Sequence, residues 1–285
     1  MTNYQSPLSI RGRSFHWGER TYLMGVLNVT PDSFSDGGDF YAPATALAQA
    51  ERMVEAGVDL IDIGGQSTRP GADQVSLEQE LDRVLPVVEA VRSALSVPIS
   101  VDTTRASVAQ QAVEAGADIV NDISGGTFDP EMLPVVAQLG VPIVLMHMRG
   151  TPQTMQQFTN YQDLIGEIYG FLDKQLAIAI QAGIKRSHLL IDPGIGFAKT
   201  GEQNLEILRQ LPAFRSLGVP ILVGVSRKSF IGRLIDQPDP KQRVWGTAAA
   251  CCGAIAGSAD ILRVHDVAQM RDVCRVADAI WRAGD

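Results

Sequence analysis

Eight short runs rich in Val, Ile and Leu recur along the chain, each followed by a longer segment of helical pattern. The runs are Leu23–Val29, Leu60–Gly64, Ile99–Asp102, Ile119–Asp122, Ile143–His147, Leu189–Asp192, Ile221–Val225 and Ile261–Val264. The helical segments are 43–56, 77–94, 105–115, 130–139, 160–182, 203–215, 241–257 and 266–283. Short, nearly continuous apolar runs suit parallel strands buried on both faces. Eight successive strand-then-helix units fit a closed ring better than an open sheet. The expected fold class is α/β, a TIM (β/α)8 barrel. Right-handed crossovers put all its strand C-termini on one face. The 285 residues are enough for one barrel of roughly 250 residues. No linker or low-complexity run divides them, so a single domain over 1–285 is expected. Ile10–Phe15 and the turn-like Trp17–Arg20 suggest a β-hairpin over 1–21 that covers the N-terminal end of a barrel over 22–285.

A weak internal repeat agrees with the ring. Glu55-Ala56-Gly57-Val58-Asp59-Leu60-Ile61-Asp62 resembles Glu114-Ala115-Gly116-Ala117-Asp118-Ile119-Val120-Asn121, and Gly257-Ser258-Ala259-Asp260-Ile261-Leu262-Arg263 resembles both. In each, a Gly ends a helix, where a left-handed residue costs least. A turn and a buried strand follow, and a polar residue appears where the strand emerges.

Charge narrows the function classes. Lys and Arg total 24 against 32 for Asp and Glu, a formal charge of −8, which argues against a nucleic-acid partner. The cysteines are Cys251, Cys252 and Cys274, an odd number without CxxC spacing. A disulfide framework or zinc site does not fit them, and a reducing cytoplasm is the expected location. The N-terminus lacks a secretory pattern. The longest small-apolar stretch, Ala248–Ala256, is far short of the ~20 residues that span a bilayer, so no membrane association is expected.

Barrel enzymes carry their chemistry at strand C-termini. The polar residues there are Asn28, Asp62, Asp102, Asn121, Asp122, His147, Asp192, Ser226, Arg227, Lys228, Arg263, His265 and Asp266. Asp122 and Asp266 are candidates for capping the next helix. Asp62, Asp102, Asn121 and Asp192 form an acceptor-rich group that suits a planar heterocycle displaying several N–H donors. Two other readings stay open on the residues alone: divalent-metal ligation and a carboxylate pair for acid–base work. Arg69, Lys228, Arg263 and His265 form a second group, able with backbone N–H groups to hold a diphosphate. His147 either lines the cavity or bonds within the rim. Two glycine-containing loops, Asn28–Asp39 and Gly64–Gly71, are the candidate lids.

At these residues the chain resembles the dihydropteroate synthases. Asn28-Val29-Thr30-Pro31-Asp32-Ser33-Phe34-Ser35-Asp36-Gly37-Gly38 is similar to that family's first signature and Asp62-Ile63-Gly64-Gly65-Gln66-Ser67-Thr68-Arg69-Pro70-Gly71 to its second. Shorter matches are Ser100–Thr103, Val120–Asp122, Ile191–Phe197, Gly224–Lys228 and Arg263–Asp266. The likeness runs from about Leu23 to the C-terminus. One departure is Gln66, where the family commonly has Glu.

The resemblance implies a transferase of folate biosynthesis. It would join (7,8-dihydropterin-6-yl)methyl diphosphate to 4-aminobenzoate, giving 7,8-dihydropteroate and diphosphate. Asp102, Asn121, Met146, Asp192, Gly196 and Lys228 would bind the pterin. Asn28, Thr68, Arg69, Arg263 and His265 would hold the diphosphate, with Mg²⁺ as cofactor on Asn28 and Asp36 or Asp39 completing its shell. Phe34, Ser67, Thr68, Pro70, Phe197 and Ser226 would shape the 4-aminobenzoate site. Asp102, Asp192, Lys228, Arg263 and His265 would carry an SN1-like reaction, shielded from water by both loops. The family implies a homodimer, for which the small residues Ala248–Ala256 and the last helix offer a face, and it is the target of sulfonamides. The competing readings are a methyltransferase barrel using methyltetrahydrofolate, a non-catalytic pterin binder, and a phosphate-binding aldolase or isomerase with Lys228 as imine-forming lysine. The diphosphate loops with Arg263 and His265 weigh against the first.

Overall fold

Along each strand, successive side chains face alternately into the barrel and out toward the helices, and this alternation organises the molecule. The structure is a computed structural model that describes residues 7–30, 42–69 and 71–282. Phe34, Asp36, Asp39 and Pro70 lie outside the described residues. The chain opens with β1 (Leu8–Ile10) and β2 (Arg13–Phe15), an antiparallel hairpin. Strand–helix units follow: β3 (Tyr22–Asn28), α1 (Ala42–Glu55), β4 (Leu60–Gly64), α2 (Leu77–Ala94), β5 (Ile99–Asp102), α3 (Ala106–Glu114), β6 (Ile119–Asp122), α4 (Met132–Leu139), β7 (Ile143–Met146) and α5 (Leu164–Gln181). The chain continues with β8 (Leu189–Asp192), α6 (Gly201–Arg209), β9 (Leu222–Val223), α7 (Ser229–Leu234), α8 (Val244–Ala256), β10 (Ile261–Val264) and α9 (Val267–Trp281).

The parallel sheet runs β8-β7-β6-β5-β4-β3-β10-β9, and a bridge between Ile191 and Ile221 joins its ends. The TIM-type barrel is thus the observed fold. Its N-terminal mouth is filled by Leu8, Ile10, Phe15 and Trp17 from the hairpin region, packed on Met24, Leu60, Ile119, Val144, Leu190, Leu222 and Ile261. These last residues point inward from the first half of their strands. The hairpin therefore plugs the end of the barrel, as expected. Residues of opposite parity, such as Ile61, Val101, Val120, Leu145 and Ile191, join the larger core beneath the helices.

The internal repeat has a structural role that its glycines did not disclose. Each repeated Asp accepts the N–H at the start of the neighbouring strand: Asp59 from Leu23 (2.8 Å), Asp118 from Ile99 (2.9 Å) and Asp260 from Ile221 (2.9 Å). Asp118 also pairs with Arg92 (2.7 Å) and with Arg11 of the hairpin (2.6 Å), fastening the plug to the ring. Asp59 pairs with Arg20 (2.6 Å).

Several boundaries differ from the sequence reading. The fifth helix starts at Leu164 rather than 160, because the Asp163 side chain caps it through Gly166 N–H. The sixth starts earlier, at Gly201, in a capping box of Thr200 and Gln203. It gives way to a 3₁₀ turn, Leu211–Leu217, that carries Pro212 near its start. β9 is confined to Leu222–Val223, with Ile221 joined to Ile191 by a single bridge and its N–H bonded to Asp260. α7 is an additional helix that sequence periodicity did not predict. Among the described residues no helix is long and apolar enough to cross a membrane. Cys251 and Cys274 are buried and Cys252 half-buried, all free thiols.

Candidate active site

Above the apolar plug, the next inward positions of β4, β5, β6, β8 and β10 are polar. Asp62, Asp102, Asn121 and Asp192 are all buried, and Asp102 stands level with Asn121 in the paired register. Arg263 enters from β10 at the same depth. Its Nε donates to Asp62 Oδ2 (2.6 Å) and an Nη donates to Asp102 Oδ2 (2.8 Å). Asn121 Nδ2 donates to the same Asp62 oxygen (3.1 Å). Asp62, Asp102 and Asn121 of the acceptor group and the first of the expected diphosphate cations are therefore one network. Asp62 is its anchor: fully buried, with its other oxygen, Oδ1, lacking a partner.

The electrostatics follow from burial. Removal from water pushes the Asp102 carboxyl up to about 7, against the opposing pull of Arg263, with Asp62 and Glu80 adding to the rise. Burial also raises Asp192, opposed by Lys228. Burial lowers Lys228 to about 8, opposed by Asp192. Burial works against Arg263 too, but Asp62 and Asp102 more than offset it and hold the guanidinium charged. His265 is driven down to about 3 by burial and by Arg263 and Arg227. It is neutral near pH 7 and offers an N–H rather than a positive charge, which amends its place among the cations.

Around this layer the loops assemble. Ser226 Oγ accepts His265 N–H (3.2 Å) and stands 3.0 Å from His265 Nδ1. Arg69 is exposed and close enough to act on the His265 charge. Ser67 and Thr68 are half-buried beside it. Gly71 N–H donates to Pro152 O (3.0 Å), joining the loop after β4 to the one after β7. Asn28 ends β3, paired with Gly64. Lys228 Nζ donates to Ile195 O and lies 4.7 Å from the Phe197 ring centroid. A Cβ on Gly196 (φ +84°) would meet the Lys228 chain at 2.9 Å, so that position needs glycine. Met146, level with Asp192, packs with Ile123, Met148, Met155 and Ala198, and Phe197 leans on this group.

Two sequence expectations are corrected, and the open choice for His147 is resolved. Asp122 does not cap α4. Its carboxylate accepts Ser124 and Gly126 N–H (2.8 Å each) and braces the loop, because its parity points it outward beside the inward Asn121. Asp266 stands at the N-cap of α9 but makes no side-chain capping bond; it pairs with Arg227. His147 bonds within the rim, its Nδ1 3.0 Å from Lys199 Nζ.

Other residues escaped the sequence reading. Lys199 is buried, bonded to His147 and to Phe197 O (2.9 Å). Buried Glu80 accepts Thr103 Oγ1 (2.7 Å) and Arg105 (2.6 Å), and its charge acts on Asp102. Arg243 donates to Arg227 O (2.9 Å) and to Gln237 O (2.9 Å), holding the turn after β9. All are charged residues in helices or loops, where strand periodicity carries no signal.

The mouth of this barrel joins an acceptor wall to an arginine and a glycine-shaped loop, and the chain belongs to the pterin-binding enzymes: the sequence profile of that family, "pterin binding enzyme", matches residues 24–265. Its relatives within the family include dihydropteroate synthases, which are transferases. It is 60% identical over 279 residues to the dihydropteroate synthase of Synechocystis sp., covering 98% of this chain and 96% of that one. The dihydropteroate synthase of Xanthomonas albilineans with 4-aminobenzoic acid superposes with a TM-score of 0.91 at 44% identity, covering 98% and 99%. That protein in complex with 7,8-dihydropteroate gives 0.87 at 41%, covering 98% and 100%.

Proposed function

We propose that this chain condenses (7,8-dihydropterin-6-yl)methyl diphosphate with 4-aminobenzoate to give 7,8-dihydropteroate and diphosphate, within one barrel domain. The observation that carries the reading is the single network of Asp62, Asp102, Asn121 and Arg263. It sets hydrogen-bond acceptors for a donor-rich ring beside a cation for a leaving anion. The pterin binds to Asp102, Asn121 and Asp192, with Met146, Gly196 and Lys228 around it. Arg263, Arg69, Thr68, Asn28 and the His265 N–H receive the diphosphate. Ser67, Thr68, Phe197 and Ser226 border 4-aminobenzoate, together with Phe34 and Pro70 outside the described residues.

In the reaction the bond from the pterin methylene carbon to the diphosphate oxygen breaks and its electron pair leaves with diphosphate. The aniline nitrogen then bonds that carbon and releases a proton. Positioned charge stabilises the departing anion most where water is excluded, and the Asp102 and Asp192 carboxylates favour the transient cation. Among the described residues no group of three His, Cys, Asp or Glu side chains could enclose a metal. A single amide oxygen at Asn28 still fits Mg²⁺, which usually keeps waters and binds through few protein ligands plus substrate phosphates. When bound there, Mg²⁺ would supply charge neutralisation of the diphosphate.

The test is purified protein with both substrates and Mg²⁺, the methylene carbon carrying deuterium. Coupled release of diphosphate and dihydropteroate is expected, with a secondary isotope effect clearly above unity. Absence of dihydropteroate refutes the activity, and an effect near unity refutes the dissociative path.

A pH dependence follows from Asp102. Below about 7 its carboxyl takes up a proton and loses an acceptor. A donor-rich ring binds the ionised form better, so ring and proton compete. Pterin affinity is expected to weaken from pH 8 to pH 5.5, and Asp102→Asn to flatten the profile. Calorimetric titration across that range checks this, and a flat wild-type profile would refute it.

The homodimer is part of the same reading. It is supported by the apolar groove of Leu205, Leu208, Phe230, Leu234 and Ala250 between α6, α7 and α8, beside exposed Trp245. A single-chain mass by light scattering would remove it. A cytoplasmic location is supported by the three free thiols.

A further inference from the structure

The segment between β8 and α6 carries an improbable backbone. Gly194, Gly196 and Ala198 all have positive φ, +73°, +84° and +51°. An alanine there is strained, and such a conformation persists only where its surroundings over-determine it. The surroundings do so through side chains. Asp192 Oδ1 accepts Gly194 N–H (2.7 Å), Lys228 donates to Ile195 O, Asn204 Oδ1 accepts Gly196 N–H (2.7 Å), Lys199 donates to Phe197 O (2.9 Å) and Tyr161 Oη donates to Ala198 O (3.1 Å). Every residue from Gly194 to Ala198 is held by one of them.

Lys199 differs from the other four in what it connects. It is 3% exposed. Burial pushes its pKa well below the ordinary lysine value, and its Nζ donates to Phe197 O and lies within hydrogen-bond distance of His147 Nδ1 (3.0 Å) and His147 O (3.5 Å). It thereby ties this loop to the residue that follows β7. The backbones are in close contact there, since a Cβ on Gly194 would lie 1.9 Å from His147 O.

We propose that Lys199 is a positioning residue: by fastening residues 194–198 to His147, it sets Gly196 and Phe197 against Lys228 and aims the Asp192 carboxylate into the cavity. The inference rests on the pterin-binding reading above and deepens it. Lys199 touches neither substrate. It acts through Asp192, Gly196 and Phe197, so its effect falls on ring binding rather than on the bond-breaking step.

Lys199→Met keeps the chain length and removes all three contacts of Nζ. The expected result is a dissociation constant for 6-hydroxymethylpterin raised at least about tenfold, since small misplacements of bound groups are costly. KM for the dihydropterin diphosphate rises to match, while kcat at saturation stays within about threefold. A merely structural role would lower the active fraction, and with it kcat, at unchanged KM and dissociation constant. Unchanged pterin affinity in Lys199→Met overturns the proposal. Should that variant fail to fold, Tyr161→Phe removes a neighbouring fastening of the same loop and must weaken pterin binding in the same direction; if it does not, the proposal falls. Wild-type protein run alongside separates the two readings. If it binds no pterin, both fall; if it binds and turns over beside an unaffected Lys199→Met, only the inference falls.

Discussion

Arg263→Ala is expected to lower kcat/KM about 10³-fold, the scale for losing a positioned charge-stabilising donor, and to destabilise the fold by about 3–5 kcal/mol, the scale for breaking a buried ion pair. Both effects have one origin. The guanidinium bonds Asp62 and Asp102, so its removal strands two carboxylates in the barrel while taking a cation from the leaving-group side. Lysine is not expected to rescue it, because one ammonium lacks the planar fork that spans both carboxylates. The stability loss is expected to depend on pH. Asp102 has a folded-state pKa of about 7, above the ordinary value, so its contribution to stability is fullest below about pH 4 and is lost as pH rises toward 7. Without Arg263 the carboxyl moves higher still. Urea unfolding should therefore show a larger deficit at pH 8 than at pH 5.5, and equal deficits would refute the assignment of Arg263 as the counter-charge.

The barrel was legible because burial on both faces writes itself as apolar runs, and the layer of functional residues because it interrupts those runs near their ends. Alternation could also have sorted the list. Asp62, Asp102, Asn121, Asp192 and Arg263 share the inward parity of Leu60, Ser100, Ile119, Leu190 and Ile261, whereas Asp122, His147 and Asp266 have the other. Read that way, the bracing role of Asp122 and the rim position of His147 follow from the sequence. Lys199 and Glu80 do not. One sits in a loop whose path depends on left-handed residues, and the other on a helix face whose partner, Arg105, is 25 residues distant. Their importance comes from what folding brings beside them. The same holds for Asp59, Asp118 and Asp260, visible as a repeat but meaningful only once each meets the neighbouring strand. α7 escaped because its six residues are too short to show a helical period.

Asp192→Asn is the sharper test of the acceptor wall, because it removes a charge while keeping a shape. The asparagine oxygen can still accept the Gly194 N–H now held at 2.7 Å, so the loop after β8 should keep its path. Ring binding loses a charge-assisted contact, and affinity for the pterin is expected to fall by roughly 10–100-fold, since a hydrogen bond to a charged group contributes about 1.5–3 kcal/mol. Lys228 is affected as well. Asp192 is the group that opposes its desolvation, and with the carboxylate gone its pKa falls below the present value of about 8. The variant should therefore lose further activity between pH 7 and pH 8.5 as Lys228 gives up its proton earlier than in the wild type. Asp192→Ala removes the loop bond too, and the gap between the two variants separates bracing from charge. A gap of less than about tenfold is expected, because Lys199, Asn204 and Tyr161 still hold the segment. Pterin titration and pH–rate profiles of both variants decide the matter. Asparagine with wild-type affinity and profile would remove the Asp192 charge from the mechanism, and a much larger deficit in the alanine variant alone would make Asp192 a loop brace instead of a ring ligand.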